Sequence, residues 1–294
     1  MKVKKYVLGI LLGAIVIITL LYLGPGLLMR LGIWMFHDKR IVYQVPGMDR
    51  ARVQKNLMFK DVAGQPLLLD VYTPADSGPK TGYPIVLLIH GGPVPPHTAA
   101  KDWGTFVSYG QLLAASGFAA VTFNHRFYSS AAMGDAAEDV RDALGYVRHH
   151  AAQLHLDPDR ICLWAFSGGG PQLSMAIRET PPFLRCLVSF YAFLDVEDDR
   201  LKQYSPLEQL RMRQTPPSPM FIARMGKDFS HVNASVTAFV HVAQEKHFPL
   251  ELNDYPEGRH AFDIRDDTED SRQMIARAVA FVRKHLTNRS EATQ

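Results

Sequence analysis

The feature that most constrains this chain is a series of short, unbroken apolar runs alternating with helical stretches. Ile85-Val86-Leu87-Leu88-Ile89 offers no polar face, so a strand built from it must be covered on both sides. Phe118 to Phe123, Ile161 to Phe166, Leu184 to Phe190, Met220 to Ala223 and Leu250 to Tyr255 read as further strands. Helical stretches fall between or after them: Thr105 to Ala115, Ala136 to Gln153, Pro171 to Glu179, Ser235 to Lys246 and Ser271 to Leu286. Within these, Val140, Leu144 and Val147 recur at helical spacing, as do Ile275, Ala278, Val279 and Val282. Strands that alternate with helices need crossover connections, which predicts an α/β domain with a mostly parallel sheet and helices on both faces. Ahead of this rhythm, Arg52 to Lys60 and Leu67 to Thr73 alternate around Asp61 to Pro66, which predicts an antiparallel hairpin at a sheet edge.

The N-terminus follows another logic. Lys2, Lys4 and Lys5 precede a run from Tyr6 to Met29 without a charged residue. As a helix, Tyr6 to Leu23 would reach about 27 Å, close to the hydrocarbon thickness of a bilayer. A cleaved signal peptide is the rival reading. It would have a shorter apolar core and a small-residue cleavage site, for which Gly24-Pro25-Gly26 is a poor substitute. A buried globular helix would show a polar face, and this run has none. The expected organisation is therefore an anchor over 1–29, a linker over 30–50, the α/β domain over 51–287 and a tail over 288–294. A short N-terminal tail before a large domain favours a single-pass protein with its domain on the extracytoplasmic side. Secretion after signal cleavage is the alternative. The segment 193–219, long, mixed and ending in Pro216-Pro217-Ser218-Pro219, breaks the strand–helix rhythm and is a candidate cap.

The hydrophobic fraction of 47% and charged fraction of 21% are those of a globular protein, and the net charge of +3 is spread along the chain. Nothing resembles the clustered positive face that nucleic-acid binding requires. Cys162 and Cys186 lie in apolar strand segments, where free buried thiols are expected ahead of a bridge between neighbouring strands. No clustered ligand set calls for a metal, and no cofactor is expected.

The strongest chemical signal is Ile161-Cys162-Leu163-Trp164-Ala165-Phe166-Ser167-Gly168-Gly169-Gly170-Pro171. A buried strand runs into a serine, three glycines and a proline able to start a helix, the strand–turn–helix setting of a nucleophile elbow. Residues two before and two after such a serine must be small, and here they are Ala165 and Gly169. The amide of Gly168 would face a developing oxyanion, as would that of Gly92, or failing that Gly91, in His90-Gly91-Gly92-Pro93, since Pro93 has no N–H. His90 itself reads as structural. Of the 12 histidines, His260 stands out because it follows the last strand and precedes the last helix. Asp228, just past the strand Met220 to Ala223, is the preferred acid to orient it, with Asp195 as the alternative. Phe127, Tyr128, Phe193 and Phe229 fall in loops near the expected mouth and are candidates to line an acyl pocket.

In this order the motifs resemble the α/β-hydrolases, in particular the esterase, dienelactone-hydrolase and acyl-peptidase branches. The likeness extends to Asn124-His125-Arg126 and to Asp139, and runs from about Arg50 to Leu286. It implies the α/β-hydrolase fold and serine acyl-transfer chemistry on a small-molecule ester, with Ser167, His260 and Asp228 as the catalytic set. Dienelactone hydrolases carry cysteine at the nucleophile, where this chain has Ser167. The expected activity is cleavage of carboxylic esters of small or medium acyl groups through an acyl-enzyme. Rival readings are an oligopeptidase-type serine peptidase, a membrane-lipid hydrolase, and a non-catalytic binding protein on the same scaffold.

Overall fold

The computed structural model describes residues 37–76 and 78–287. The larger of two units, Arg40–Gln294, holds the whole sheet. The apolar stretch from Tyr6 to Met29, read from the sequence as an anchor, lies outside the described residues, as does the tail 288–294. Among the described residues no helix is long and apolar enough to cross a membrane.

Eight strands form one sheet: β1 (Arg52–Val62), β2 (Gln65–Thr73), β3 (Tyr83–Ile89), β4 (Ala119–Phe123), β5 (Leu156–Phe166), β6 (Leu184–Phe190), β7 (Met220–Lys227) and β8 (Leu250–Arg259). Their spatial order is β1-β2-β4-β3-β5-β6-β7-β8. The first two pairings, β1 with β2 and β2 with β4, are antiparallel, and every pairing from β4 to β8 is parallel. The edge hairpin is tighter than the loop from Asp61 to Pro66 read from the sequence. Ala63 and Gly64 both take positive φ, 51° and 82°, and the Gly64 N–H donates to the Asp61 carboxylate at 2.8 Å. Two such residues make a turn whose twist matches the strands, which therefore continue up to it.

Among the described residues, six α-helices of six residues or more cover the sheet: α1 (Gly104–Ala115), α2 (Met133–His149), α3 (Ser174–Glu179), α4 (Pro206–Met212), α5 (Ser230–Glu245) and α6 (Glu269–Thr287). Strand side chains alternate between faces, so each apolar run feeds two cores. Leu87 of β3 and Leu163 of β5 join Val140, Leu144 and Val147 of α2 and Phe239 of α5 on one face. Leu88 and Trp164 join Tyr109 of α1 and Ile275, Ala278 and Val282 of α6 on the other. Cys162 and Cys186 pair in register on β5 and β6, buried and free.

Two boundaries differ from the sequence reading. The stretch 30–50 is not linker throughout, because Ile41 and Met48 are buried in the core beside α1. The candidate cap 193–219 is also tied into the domain. Its helix α4, capped by the Ser205 hydroxyl accepting the Glu208 N–H and started by Pro206, drives Leu207 and Leu210 into the main core. Leu87, wholly buried in a central strand, gives a direct test of the two-faced core. Leu87→Ala should cost about 2–5 kcal/mol, read as a lower urea midpoint at unchanged slope.

Candidate active site

Gly92, Ser167, Gly168, Asp228 and His260 lie just past the carboxyl ends of β3, β5, β7 and β8, whereas Asp195 follows β6. At the end of β5 the backbone turns so sharply that Ser167 takes φ 51°, the left-handed region that a non-glycine residue enters only at a cost. Close packing explains the glycines around it. A Cβ on Gly168 would lie 2.2 Å from the Gly92 carbonyl oxygen, one on Gly169 2.7 Å from that of His90, and one on Gly170 2.0 Å from that of Phe193. Each contact is shorter than real Cβ atoms tolerate, so the elbow is wedged between the exits of β3 and β6. The helix expected to begin at Gly170-Pro171 is instead a 3-10 turn, Ser167–Leu173, and α3 starts at Ser174. Three successive glycines followed by proline are poor α-helix formers, and the tighter turn fits beneath the β3 loop.

The Ser167 Oγ lies 2.8 Å from Nε2 of His260, and Nδ1 of the same ring lies 2.7 Å from the Asp228 carboxylate. The geometry implies the tautomer with Nδ1–H donating to Asp228 and Nε2 accepting from Ser167. Asp228 leaves the end of β7, and its Oδ1 also accepts the Phe229 N–H at 2.6 Å. Its side chain is fully buried, whereas the His260 side chain is 20% exposed. The second carboxylate oxygen, Oδ2, is buried with no hydrogen-bond partner, so the imidazole is the group best placed to compensate this charge. Asp195 does not compete for the role. Its Oδ1 accepts from the Val196 N–H at 2.7 Å and the Ser205 hydroxyl at 2.8 Å, with Lys202 at 3.5 Å. Asp195 thus serves the start of α4, not the histidine.

The loop after β3 is held from below. His90 and His125 stack with ring centroids 3.6 Å apart, and His90 Nδ1 lies 2.6 Å from the Gly91 carbonyl. Burial pushes the His90 imidazole down to about 4 and that of His125 well below its ordinary value, so both are neutral props. His90 is structural, as expected. On this support Gly91 and Gly92 pass against the serine: a Cβ on Gly91 would lie 2.9 Å from that of Ser167. The Gly92 and Gly168 backbones pack closely against each other, a Cβ on Gly168 meeting the Gly92 carbonyl, so the two candidate oxyanion donors belong to neighbouring backbone.

A cavity of about 350 Å³ opens over this spot. Phe127, Phe193 and Phe229 line it, as the sequence suggests, and Tyr128 does not. Met133, His231 and Val232 complete the wall without having been foreseen, because α2 and α5 begin earlier than their apolar periodicity shows. Also unforeseen is a buried carboxylate, Asp263, which accepts the hydroxyls of Tyr109 and Tyr191 at 2.9 Å each. Among the described residues no group of three or more His, Cys, Asp or Glu is gathered as a metal-ligand set.

Comparison with known proteins agrees with this architecture. The BD-FAE family model matches residues 69–179, the stretch from β2 through the elbow to the end of α3. A non-reducing polyketide synthase, atr1 of Stereocaulon alpinum, is 26% identical over 209 residues, covering 64% of this chain and 8% of that protein. A probable isoprenylcysteine alpha-carbonyl methylesterase, ICMEL1 of Arabidopsis thaliana, is 31% identical over 102 residues, covering 34% of this chain and 20% of that protein. This chain thus matches at most a fifth of the length of those two relatives. Among solved structures, a propionate-bound thermophilic esterase, Est2 of Thermogutta terrifontis, superposes with a TM-score of 0.67 at 21% identity, over 83% of this chain and 98% of its own. The same esterase phosphorylated by paraoxon gives 0.66 at 20% identity, over 82% and 95%. The fold is that of the α/β-hydrolases.

Burial pushes the Asp263 carboxyl up to about 6, against the opposing pull of the two tyrosine hydroxyls, a backbone hydrogen bond and the facing His260. A carboxyl raised in this way binds its proton more tightly folded than unfolded. Its contribution therefore favours folding below about pH 4 and is lost as the pH rises through about 6. Asp263→Asn removes that loss, so the stability of the variant relative to wild type should improve from pH 4 to pH 8 by up to about 3 kcal/mol. Paired urea titrations at the two pH values read the difference directly.

Proposed function

We propose that this protein is a serine hydrolase that cleaves carboxylic esters of small or medium acyl groups, with Ser167 as nucleophile, His260 as general base and Asp228 as the group that orients the base. The observation that carries this reading is the unbroken hydrogen-bond chain from Ser167 through His260 to Asp228, opening on an apolar cavity. As the Ser167 oxygen attacks the acyl carbon, its proton passes to His260 Nε2, and the buried Asp228 charge stabilises the imidazolium. The carbonyl oxygen takes up the negative charge beside the Gly92 and Gly168 amides, a contribution of about 3 kcal/mol per donor in comparable sites. Collapse of the intermediate breaks the bond to the alcohol, which leaves with the proton from His260. Water, deprotonated by the same ring, then releases the acid and restores Ser167.

Three further points support esters of modest size. The cavity is lined by Phe127, Phe193, Phe229, Met133 and Val232, which suits an uncharged acyl chain. The Thermogutta esterase of the same fold has been solved with butyrate and with propionate bound. The same protein is phosphorylated by paraoxon, a modification that fits an activated serine. We further propose that the apolar N-terminal stretch Tyr6 to Met29 holds the enzyme at a membrane with its hydrolase domain on the extracytoplasmic side, a reading that rests on sequence alone.

The test is hydrolysis of 4-nitrophenyl acetate, butyrate and octanoate by the full chain in detergent, together with labelling by a fluorophosphonate. Ser167→Ala should abolish both, and Asp228→Asn should lower kcat by about 10⁴. Asp195→Asn should leave kcat within about twofold, since its partners belong to α4. Labelling that survives in Ser167→Ala removes the serine from its role; cleavage of peptide amides in preference to esters replaces the reading with a peptidase.

A further inference from the structure

The structure assigns to Asp263 the part of a positioning residue: its carboxylate, gripped by the hydroxyls of Tyr109 and Tyr191, fixes the loop that carries His260 against the strand that carries Ser167. The assignment rests on the reading of Ser167 and His260 as nucleophile and base.

Asp263 follows His260 by three residues, after Ala261 at φ 59° and within the single turn Phe262–Arg265. Its side chain is wholly buried. The hydroxyls it accepts come from two distant parts of the chain. Tyr109 belongs to α1 and packs on β5, its ring 5.3 Å from Trp164 and 5.0 Å from Phe166, the residue before Ser167. Tyr191 follows β6, and its ring stands edge-on to the His260 imidazole at 4.9 Å and lies 6.1 Å from Phe166. A continuous path thus runs from the nucleophile's strand through two tyrosines to the carboxylate and on to the base. The backbone joins in, since the Asp263 carbonyl accepts the Val42 N–H at 2.8 Å.

Without this clasp the loop would still be tied by the buried Phe262 and by Asp266, which accepts the Arg259 N–H at 2.9 Å. The imidazole itself would be held by Ser167, Asp228 and the ring of Phe229, which is 56% exposed. The loop also emerges from β8, an edge strand paired on one side only. Fold stability alone does not account for a carboxylate here. Burying a charge against two neutral hydroxyls is costly, and an apolar or amide side chain of similar volume would serve packing better. That cost shows in the carboxyl pushed up to about 6. What the charge supplies is a rigid double acceptor and a negative potential facing the ring that becomes cationic during the reaction.

The experiment compares wild type, Asp263→Asn and Tyr191→Phe as full chains in detergent. The second variant keeps the ring and removes only the hydroxyl. Steady-state kinetics on 4-nitrophenyl butyrate should show kcat lower by about tenfold to a hundredfold in Asp263→Asn, and by a smaller factor in Tyr191→Phe, with KM within twofold of wild type in both. Thermal unfolding near pH 8 should show that neither loss comes from a melted fold. Independently of turnover, one-dimensional proton NMR of the downfield Nδ1–H shared by His260 and Asp228 should show a resonance that is sharp in wild type and broadened or lost in both variants. If Asp263→Asn does not fold, Tyr191→Phe alone decides on the same readouts. Unchanged kcat with an unchanged resonance in folded variants overturns the assignment while leaving the hydrolase reading intact. A wild type that neither hydrolyses esters nor labels at Ser167 overturns that reading instead, and the resonance then still reports on the clasp.

Discussion

The whole site depends on one steric arrangement, the contact of the Ser167 elbow with the backbone leaving β3 and β6. Carbonyl oxygens of Gly92, His90 and Phe193 occupy the space that Cβ atoms would need on Gly168, Gly169 and Gly170. The Phe193 N–H in turn donates to the Ser167 carbonyl at 3.0 Å. Because three strand ends are pressed together, the serine is forced into a backbone conformation it would otherwise avoid, and its hydroxyl is presented instead of buried. The same contact sets the two candidate oxyanion amides side by side. The turn at Ser167 and the juxtaposition of Gly92 with Gly168 are thus products of one packing event.

Beneath that contact the polar groups are kept uncharged and the charged groups kept paired. The stacked His90 and His125 carry the β3 loop without adding a cation near the hydroxyl. Arg126 grips the buried Asp139 through Nε at 2.8 Å and its backbone N–H at 2.9 Å, which fixes the chain just before Phe127 in the cavity wall. The Phe127 carbonyl then accepts the Val94 N–H at 2.9 Å, closing the wall onto the β3 loop. Asp228, whose Oδ2 has no hydrogen-bond partner, and Asp263, held by neutral hydroxyls, lie on the side of His260, where positive charge develops in the proposed reaction.

Much of this was legible in the sequence because parallel sheets leave a strong mark. Runs such as Ile85 to Ile89 are apolar throughout, and residues that follow such runs share one end of the sheet, so Ser167, Asp228 and His260 could be named from position. The choice between Asp228 and Asp195 could only be ordered, since both follow a parallel strand. What separates them is that Asp195 is bound to Ser205 ten residues later, a local hydrogen bond that periodicity does not encode. That α4 ties the candidate cap 193–219 into the core was missed for a related reason: Leu207 and Leu210 form too short an apolar pattern to signal it. The Tyr109, Tyr191 and Asp263 group left no signal, because its members are separated by up to 154 positions and each is an ordinary residue in its own segment.

The order of strands has one more consequence. Ser167 springs from β5, flanked on both sides by parallel neighbours, whereas His260 springs from β8 at the margin of the sheet. Cooperative units at a margin open at lower free energy than those at a centre. Gentle heat or dilute denaturant should therefore part His260 from a Ser167 whose surroundings stay native, and any activity that needs both residues would be lost well before the bulk circular dichroism begins to change.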